Sequence, residues 1–176
     1  RLKVKDTNGN LSMPRTRMNP PLVREVTYSL LGEWLEKMHP FVLYGMGEFL
    51  ASGEFQNKAL DFSNHGSAVE AYLKRHRPGA GSPVKMVPLE ELFGLEYPRW
   101  IKTGGEKKER LEATALLLLY YYINVEPKSL AGYFQAVDSG ASNTVRDRKL
   151  IRGRSFSKLS NSVAAGLAKD GLKASF

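Results

Sequence analysis

Histidine and cysteine are the first residue types to consider for catalysis or metal binding in this sequence. It contains three histidines, His39, His65 and His76, and no cysteine. Zinc sites need histidines at short spacings such as His-x-x-x-His, and none of the three shows such a spacing. The lack of cysteine excludes disulfides, thiolate metal ligands and cysteine nucleophiles. We therefore predict no metal site and no cofactor.

Glycine-rich and acidic stretches also lack the spacing that catalysis requires. Residues 79–82 and 103–108 bring glycine close to serine or lysine, but neither has the GxxxxGK[ST] pattern of a phosphate loop. The carboxylate pairs Glu90–Glu91 and Glu33/Glu36 are typical of solvated helix faces. No Gly-x-Ser-x-Gly elbow presents a serine nucleophile. The sequence thus predicts a protein that is not an enzyme.

Three consecutive tyrosines, Tyr120 to Tyr122, are the residues best suited to stacking on nucleic-acid bases. At about 100° per residue, three successive helix positions spread over roughly 200–300° of the helix circumference. The three rings therefore do not share one platform, and we expect one or two of them in the core.

A cluster of cations lies near the end of the sequence. Residues 145–159 hold six cations and one carboxylate. Lysine and arginine neutralise phosphates and release counterions, and arginine also binds phosphate in a bidentate manner. The predicted nucleic-acid contacts in this stretch are Arg146, Arg148, Lys149, Arg152, Arg154 and Lys158. Two alternatives remain open: a solvated basic helix, and a tail that docks on an acidic protein surface.

Positive charge is concentrated at both ends of the sequence. Residues 1–24 carry a formal net charge of +5 and residues 144–176 carry +6, out of +8 in total. This asymmetry indicates a polyanionic partner, an acidic protein surface, or self-association of the basic ends on the acidic middle of the chain. A second set of nucleic-acid contacts, or an arm for a neighbouring subunit, is predicted at Lys3, Lys5, Arg15 and Arg17.

Helical periodicity dominates the sequence and predicts a mainly α fold of about seven helices. The first helix starts at Pro20 and Pro21 and is predicted to continue through Met38, where His39-Pro40 breaks it. Val23, Val26 and Leu30 lie on its apolar face. Residues 97–105 are predicted to form a loop. Further helices are predicted at residues 41–52, 67–76, 106–124, 127–137 and 157–169, with one or two helical turns at 88–93. Asn143 is predicted to cap a further basic segment.

Four segments follow from the turn signals. Residues 1–18 are predicted to form a basic arm or a short β-hairpin around Asn8-Gly9. Residues 19–77 form an N-terminal helical subdomain, residues 78–88 a linker, and residues 89–176 a C-terminal helical subdomain with a basic end.

The order of the last helices resembles a helix-turn-helix or winged-helix arrangement in outline. Two apolar helices precede a turn and a basic segment, which would be held against a duplex. Residues 143–152 are one candidate for the contacting element. The alternative is a wing at residues 149–156, with Gly153 at its tip.

These features favour a non-enzymatic nucleic-acid-binding protein, with DNA or RNA left open. The alternative is a structural subunit of a nucleoprotein, coat or scaffold, whose extended ends join neighbouring subunits in a homo-oligomer or larger assembly. The longest strongly apolar run, residues 113–123, has 11 residues, whereas a membrane-spanning helix needs about 20. We expect an intracellular protein without a membrane partner.

Overall fold

The structure is a computed structural model that describes residues 20–34, 37–56, 59–61, 65–74 and 82–176. Its helices are α1 (Pro20–Leu30), α2 (Pro40–Ser52), α3 (His65–Leu73), α4 (Leu89–Phe93), α5 (Tyr97–Lys102), α6 (Gly105–Asn124), α7 (Pro127–Asp138), α8 (Asn143–Ile151) and α9 (Phe156–Lys169). The mainly α prediction is confirmed, and seven of these helices have at least seven residues.

Helix α6 is the centre of the core. It is buried almost all round in its second half, from Ala113 to Tyr122. A helix with apolar side chains on every face must be surrounded by other elements. Helices α2, α7 and α9 provide this cover, and α2 makes the most extensive contact.

Helices α2 and α6 approach each other closely at Gly45. A Cβ atom on Gly45 would lie 2.7 Å from the carbonyl oxygen of Ala115 and 3.2 Å from the Cβ of Leu119. The absence of a side chain at this position therefore lets the two helix backbones pack together.

Four short strands join the helical elements. Strands β1 (Glu54–Gln56) and β2 (Ala59–Asp61) form an antiparallel hairpin that the sequence prediction missed. Strands β3 (Val84–Lys85) and β4 (Ala174–Ser175) pair in parallel. The amide of Val84 donates to the carbonyl of Lys173 at 2.9 Å, and the amide of Met86 donates to that of Ser175 at 2.8 Å. These bonds tie the last residues to the segment before α4.

The first predicted helix was partly wrong. Helix α1 ends at Leu30 and a short 3-10 turn follows at Gly32–Trp34, because Gly32 favours a break in the helix. Val23 is buried as expected, but Val26 is 48% exposed and Leu30 is 76% exposed. The apolar face of α1 is therefore only partly covered by the described residues.

Three further expectations are corrected. Residues 97–105 are not all loop, since Tyr97–Lys102 form α5, with proline in its first turn and Trp100 buried against the core. Residues 149–156 do not form a wing, because α8 continues to Ile151 and a tight turn leads directly into α9. Helix α3 also begins earlier than predicted, at His65.

The predicted arm at residues 1–18 and most of the predicted linker lie outside the described residues. The helices on both sides of that linker contribute side chains to one hydrophobic cluster, including Phe41 and Leu43 from α2 and Leu116 from α6.

Candidate nucleic-acid interface

Helix α8 carries most of the predicted contact residues. It follows a four-residue turn, Ser139 to Ser142, in which Gly140 has a φ of 70°. Ser142 is the N-cap, so Asn143 is the first helical residue rather than the cap. The helix ends where Arg152 and Gly153 adopt left-handed conformations, with φ of 55° and 71°.

Arg146 points into the fold. Its side chain is buried, and its Nη1 donates to the carbonyl oxygen of Lys37 and, at 3.2 Å, to Oδ1 of Asn143. A buried guanidinium that donates to protein oxygens does not reach a phosphate on the surface. Arg146 therefore fixes α8 against the segment before α2.

The one carboxylate of residues 145–159 also points away from the exposed face of α8. Asp147 Oδ1 lies 2.5 Å from Nε2 of His39, which is largely buried. The backbone amide of His39 donates to the hydroxyl of Tyr133 on α7 at 2.8 Å. These two contacts of His39 join the start of α2 to α7 and to α8. Because Asp147 is directed towards His39, the exposed face of α8 carries no negative charge.

Arg154 is held by Glu126 in a bidentate ion pair. Its Nη1 and Nη2 lie 2.6 and 2.9 Å from the two carboxylate oxygens, and Nε donates to the carbonyl of Ile151 at 2.9 Å. Glu126 also accepts from the hydroxyls of Tyr121 and Ser129. Burial raises the pKa of Glu126, but these hydrogen bonds outweigh burial, and the net pKa lies below its usual value. Arg154 therefore connects α6, α7 and the turn before α9.

The remaining cations of α8, together with Arg152 just after its end, face a cleft between α7 and α8. Arg148, Lys149 and Arg152 are exposed and line it together with Lys128 from the start of α7. The cleft has a volume of about 430 Å³, and its other lining residues are Ser129 and Gly132. We call this feature the basic cleft. No carboxylate lines it, and none in the described part of the chain forms an ion pair with its four cations.

The two walls of the basic cleft are in contact at Gly132 and Lys149. A Cβ atom at this position would lie 3.6 Å from Cδ of Lys149, which is an ordinary van der Waals distance. The aliphatic stem of Lys149 thus lies on the backbone of α7. Lys128 was not predicted as a contact, because it precedes the basic stretch by about twenty residues and only the α7–α8 hairpin brings it close.

The other predicted contacts lie elsewhere. Lys158 is exposed on the first turn of α9 and does not line the basic cleft. Lys3, Lys5, Arg15 and Arg17 lie outside the described residues. Tyr120, Tyr121 and Tyr122 are all at most 5% exposed, so their rings are not available for base stacking.

A second cleft, of about 460 Å³, lies between α4, α5 and the start of α6. Its lining carries both signs of charge, with Glu90 and Glu91 opposite Arg99, Lys102 and Lys107. Nζ of Lys107 lies 2.6 Å from Oε1 of Glu91. Because its charges offset one another, this cleft suits a polyanion less well than the basic cleft.

A serine and a histidine meet inside the core. Ser52 Oγ lies 2.9 Å from Nε2 of His65 and donates to the carbonyl of Phe49 at 2.8 Å. Both residues are 7% exposed, and burial lowers the pKa of His65. The geometry is that of a hydrogen-bonded core pair without access for a substrate.

Among the described residues, no three or more His, Cys, Asp or Glu side chains are placed to hold a metal ion. None of the described helices is both long enough and apolar enough for a bilayer crossing. Comparison with protein-family models, curated proteins and solved structures finds no match to this chain.

Proposed function

We propose that this protein binds nucleic acid without catalysis, through phosphate contacts in the basic cleft. One observation carries the proposal: four cations from two helices face one concave surface that no carboxylate lines. The only acidic residue of α8, Asp147, is paired with His39 instead. Lys158 provides an additional exposed cation on α9.

The physical basis is the release of counterions from the phosphate backbone. Each phosphate that a cation neutralises contributes about −0.9 to the slope of log affinity against log salt for duplex DNA. If all four cations of the basic cleft contact phosphates, the slope should be about −3.6. The cleft thus predicts both binding and its dependence on salt.

The test is a fluorescence-anisotropy titration of labelled duplex DNA, single-stranded DNA and single-stranded RNA at several salt concentrations. The variant Arg148→Gln/Lys149→Gln/Arg152→Gln removes three cations from the cleft. A matched control, Lys85→Gln/Lys169→Gln/Lys173→Gln, removes three exposed cations that lie outside it.

We expect the cleft variant to bind at least tenfold more weakly, and its slope of log affinity against log salt should be less steep by about 3. The control variant should have a much smaller effect on both. Equal effects of the two variants would show that only total charge matters. If the unaltered protein binds none of the three polymers at low salt, the proposal is wrong.

The second candidate, a subunit of a larger assembly, is favoured by the exposed stripe on α1. Leu22, Val26 and Leu30 are 61%, 48% and 76% exposed at four-residue spacing, so they follow one line along the helix. We propose that a second copy of this chain covers the stripe. Sedimentation equilibrium should then show a mass that grows with concentration, and Val26→Lys should abolish the growth. A constant monomer mass would exclude this candidate.

A further inference from the structure

We infer that the ligand is duplex DNA, with α8 in the major groove and Thr144 and Val145 facing the base edges. This inference rests on the proposed function and adds the polymer and the residues that would select sequence. Three observations support it: the connection between α7 and α8, the division of the exposed face of α8, and the composition of the surface.

The connection between α7 and α8 has the turn length of a helix-turn-helix unit. Its turn contains four residues, Ser139 to Ser142, and includes a glycine, Gly140, with a positive φ, as such turns often do. In duplex recognition by this arrangement, the N-terminal residues of the second helix contact base edges, while the first helix contacts the backbone. Lys128, at the start of α7, is placed for a backbone contact.

The exposed face of α8 is divided along its length. At about 100° per residue, Thr144, Val145, Arg148 and Lys149 fall within roughly 140° of the circumference of α8. All four are exposed, as is Arg152 just after the end of the helix. The cations occupy the second half, beside Lys128 in the basic cleft. The first half presents a hydroxyl and an apolar side chain, and Val145 is 40% exposed.

Thr144 and Val145 have the chemistry of base readers rather than phosphate contacts. Threonine hydroxyls bond base edges, and apolar side chains contact the C5-methyl group of thymine in the major groove. The cations behind them would hold one phosphate strand and fix the register of the helix.

The width of the B-DNA major groove and the composition of the basic cleft favour duplex DNA over RNA and single strands. The major groove of B-DNA is about 12 Å wide and admits an α-helix, whereas the major groove of A-form RNA is too narrow for side chains to read. Single strands are held by stacking on exposed aromatic rings. The lining of the basic cleft contains no aromatic residue, and the tyrosines of α6 are buried.

The test begins with selection from a randomised duplex library by the unaltered protein, by Val145→Ser and by Thr144→Ala. Each preferred thymine is then replaced by uracil, which lacks the methyl group. We expect uracil at one position to weaken binding of the unaltered protein about fourfold, the equivalent of one buried methyl group. Val145→Ser should bind the thymine and uracil duplexes equally well, and its slope of log affinity against log salt should be unchanged.

Val145 and Thr144 are exposed, so the variants should fold, and urea unfolding verifies this directly. The inference is overturned if single-stranded nucleic acid or duplex RNA binds more tightly than duplex DNA, or if both variants select the same sequences as the unaltered protein. In those cases the proposed function stands. If no polymer binds, the proposed function fails as well.

Discussion

Arg146 and Arg154 differ from the other cations of the basic stretch because their guanidinium groups are used inside the fold. Arg154 has only 21% of its side chain exposed and Glu126 only 13%. Removal of one partner from such a pair leaves the other charge partly buried without compensation. These two arginines should therefore contribute to stability, whereas Arg148, Lys149 and Arg152 should contribute to binding.

Replacement of Arg154 should separate these roles. We expect Arg154→Ala to lower the free energy of unfolding by about 2 kcal/mol, through loss of the bidentate pair and of the bonds to the carbonyls of Leu150 and Ile151. The exposed control, Arg148→Ala, should change it by less than about 0.5 kcal/mol. Urea unfolding at neutral pH measures both. Equal stabilities of the two variants would contradict the structural role of Arg154.

Glu126 should make stability depend on pH. Its pKa in the folded protein lies below the usual 4.5, so its ionised form stabilises the fold above about pH 4.5. That contribution is lost as the pH falls through the folded pKa. Glu126→Gln should therefore be less stable than the unaltered protein at pH 7, and the difference should narrow towards pH 3. Urea unfolding across this range provides the measurement, and parallel pH profiles would contradict it.

At the residue scale, the sequence predicted where charge accumulates but not which way each side chain points. Arg146 and Arg148 are two positions apart and point about 200° from each other around α8. Which of them is buried depends on the face that α8 packs against the rest of the fold. Glu126 lies 28 positions before Arg154, so their pairing depends on the packing of α6, α7 and α9. No local pattern in the sequence contains that information.

At the scale of elements, the contact between α2 and α6 depends on a missing side chain. We expect Gly45→Ala to lower the free energy of unfolding by about 1–3 kcal/mol, because its Cβ would overlap the backbone of Ala115. The matched control is Gly132→Ala, in the interior of α7. That Cβ meets only ordinary contacts, and alanine favours the helix by up to about 1 kcal/mol.

Thermal unfolding followed by circular dichroism compares the two glycine variants. The expected order of midpoints is Gly132→Ala at or above the unaltered protein, and Gly45→Ala clearly below it. If Gly45→Ala were as stable as Gly132→Ala, the close approach of α2 and α6 would not be tight in solution.

Most long helices were predictable from the sequence, and so was the short helix α4, but α5 and the strands were not. Helix α6 has a strong apolar pattern over twenty residues, and α7 and α9 begin near proline or serine signals that match their observed starts. Helix α5 has only six residues and one fully buried side chain, Trp100. Its sequence therefore shows no helical periodicity that could be detected. The strands β1 and β2 have three residues each and rely on their pairing rather than on a pattern.

At the scale of the whole molecule, the shared cluster predicts cooperative unfolding. Helix α2 precedes the predicted linker and α6 follows it, yet both contribute to one core. We expect a single calorimetric transition whose measured enthalpy equals the van't Hoff enthalpy. Two resolved transitions would favour the division into residues 19–77 and 89–176 that turn signals in the sequence predict.

The burial of Trp100 makes it a fluorescent reporter of the core. It is 1% exposed and its ring stacks on Tyr44 at a centroid distance of 4.8 Å, so it belongs to the packing of α5 on α2. The basic cleft is formed by other helices, α7 and α8. The sequence contains two tryptophans, Trp34 and Trp100. Once Trp34 is replaced by phenylalanine, the tryptophan fluorescence comes from Trp100 alone and reports on the native core. The emission maximum of Trp100 should stay constant when nucleic acid binds in the basic cleft and when the cations of the cleft are replaced. It should shift to longer wavelength only when the core unfolds and Trp100 becomes exposed to water.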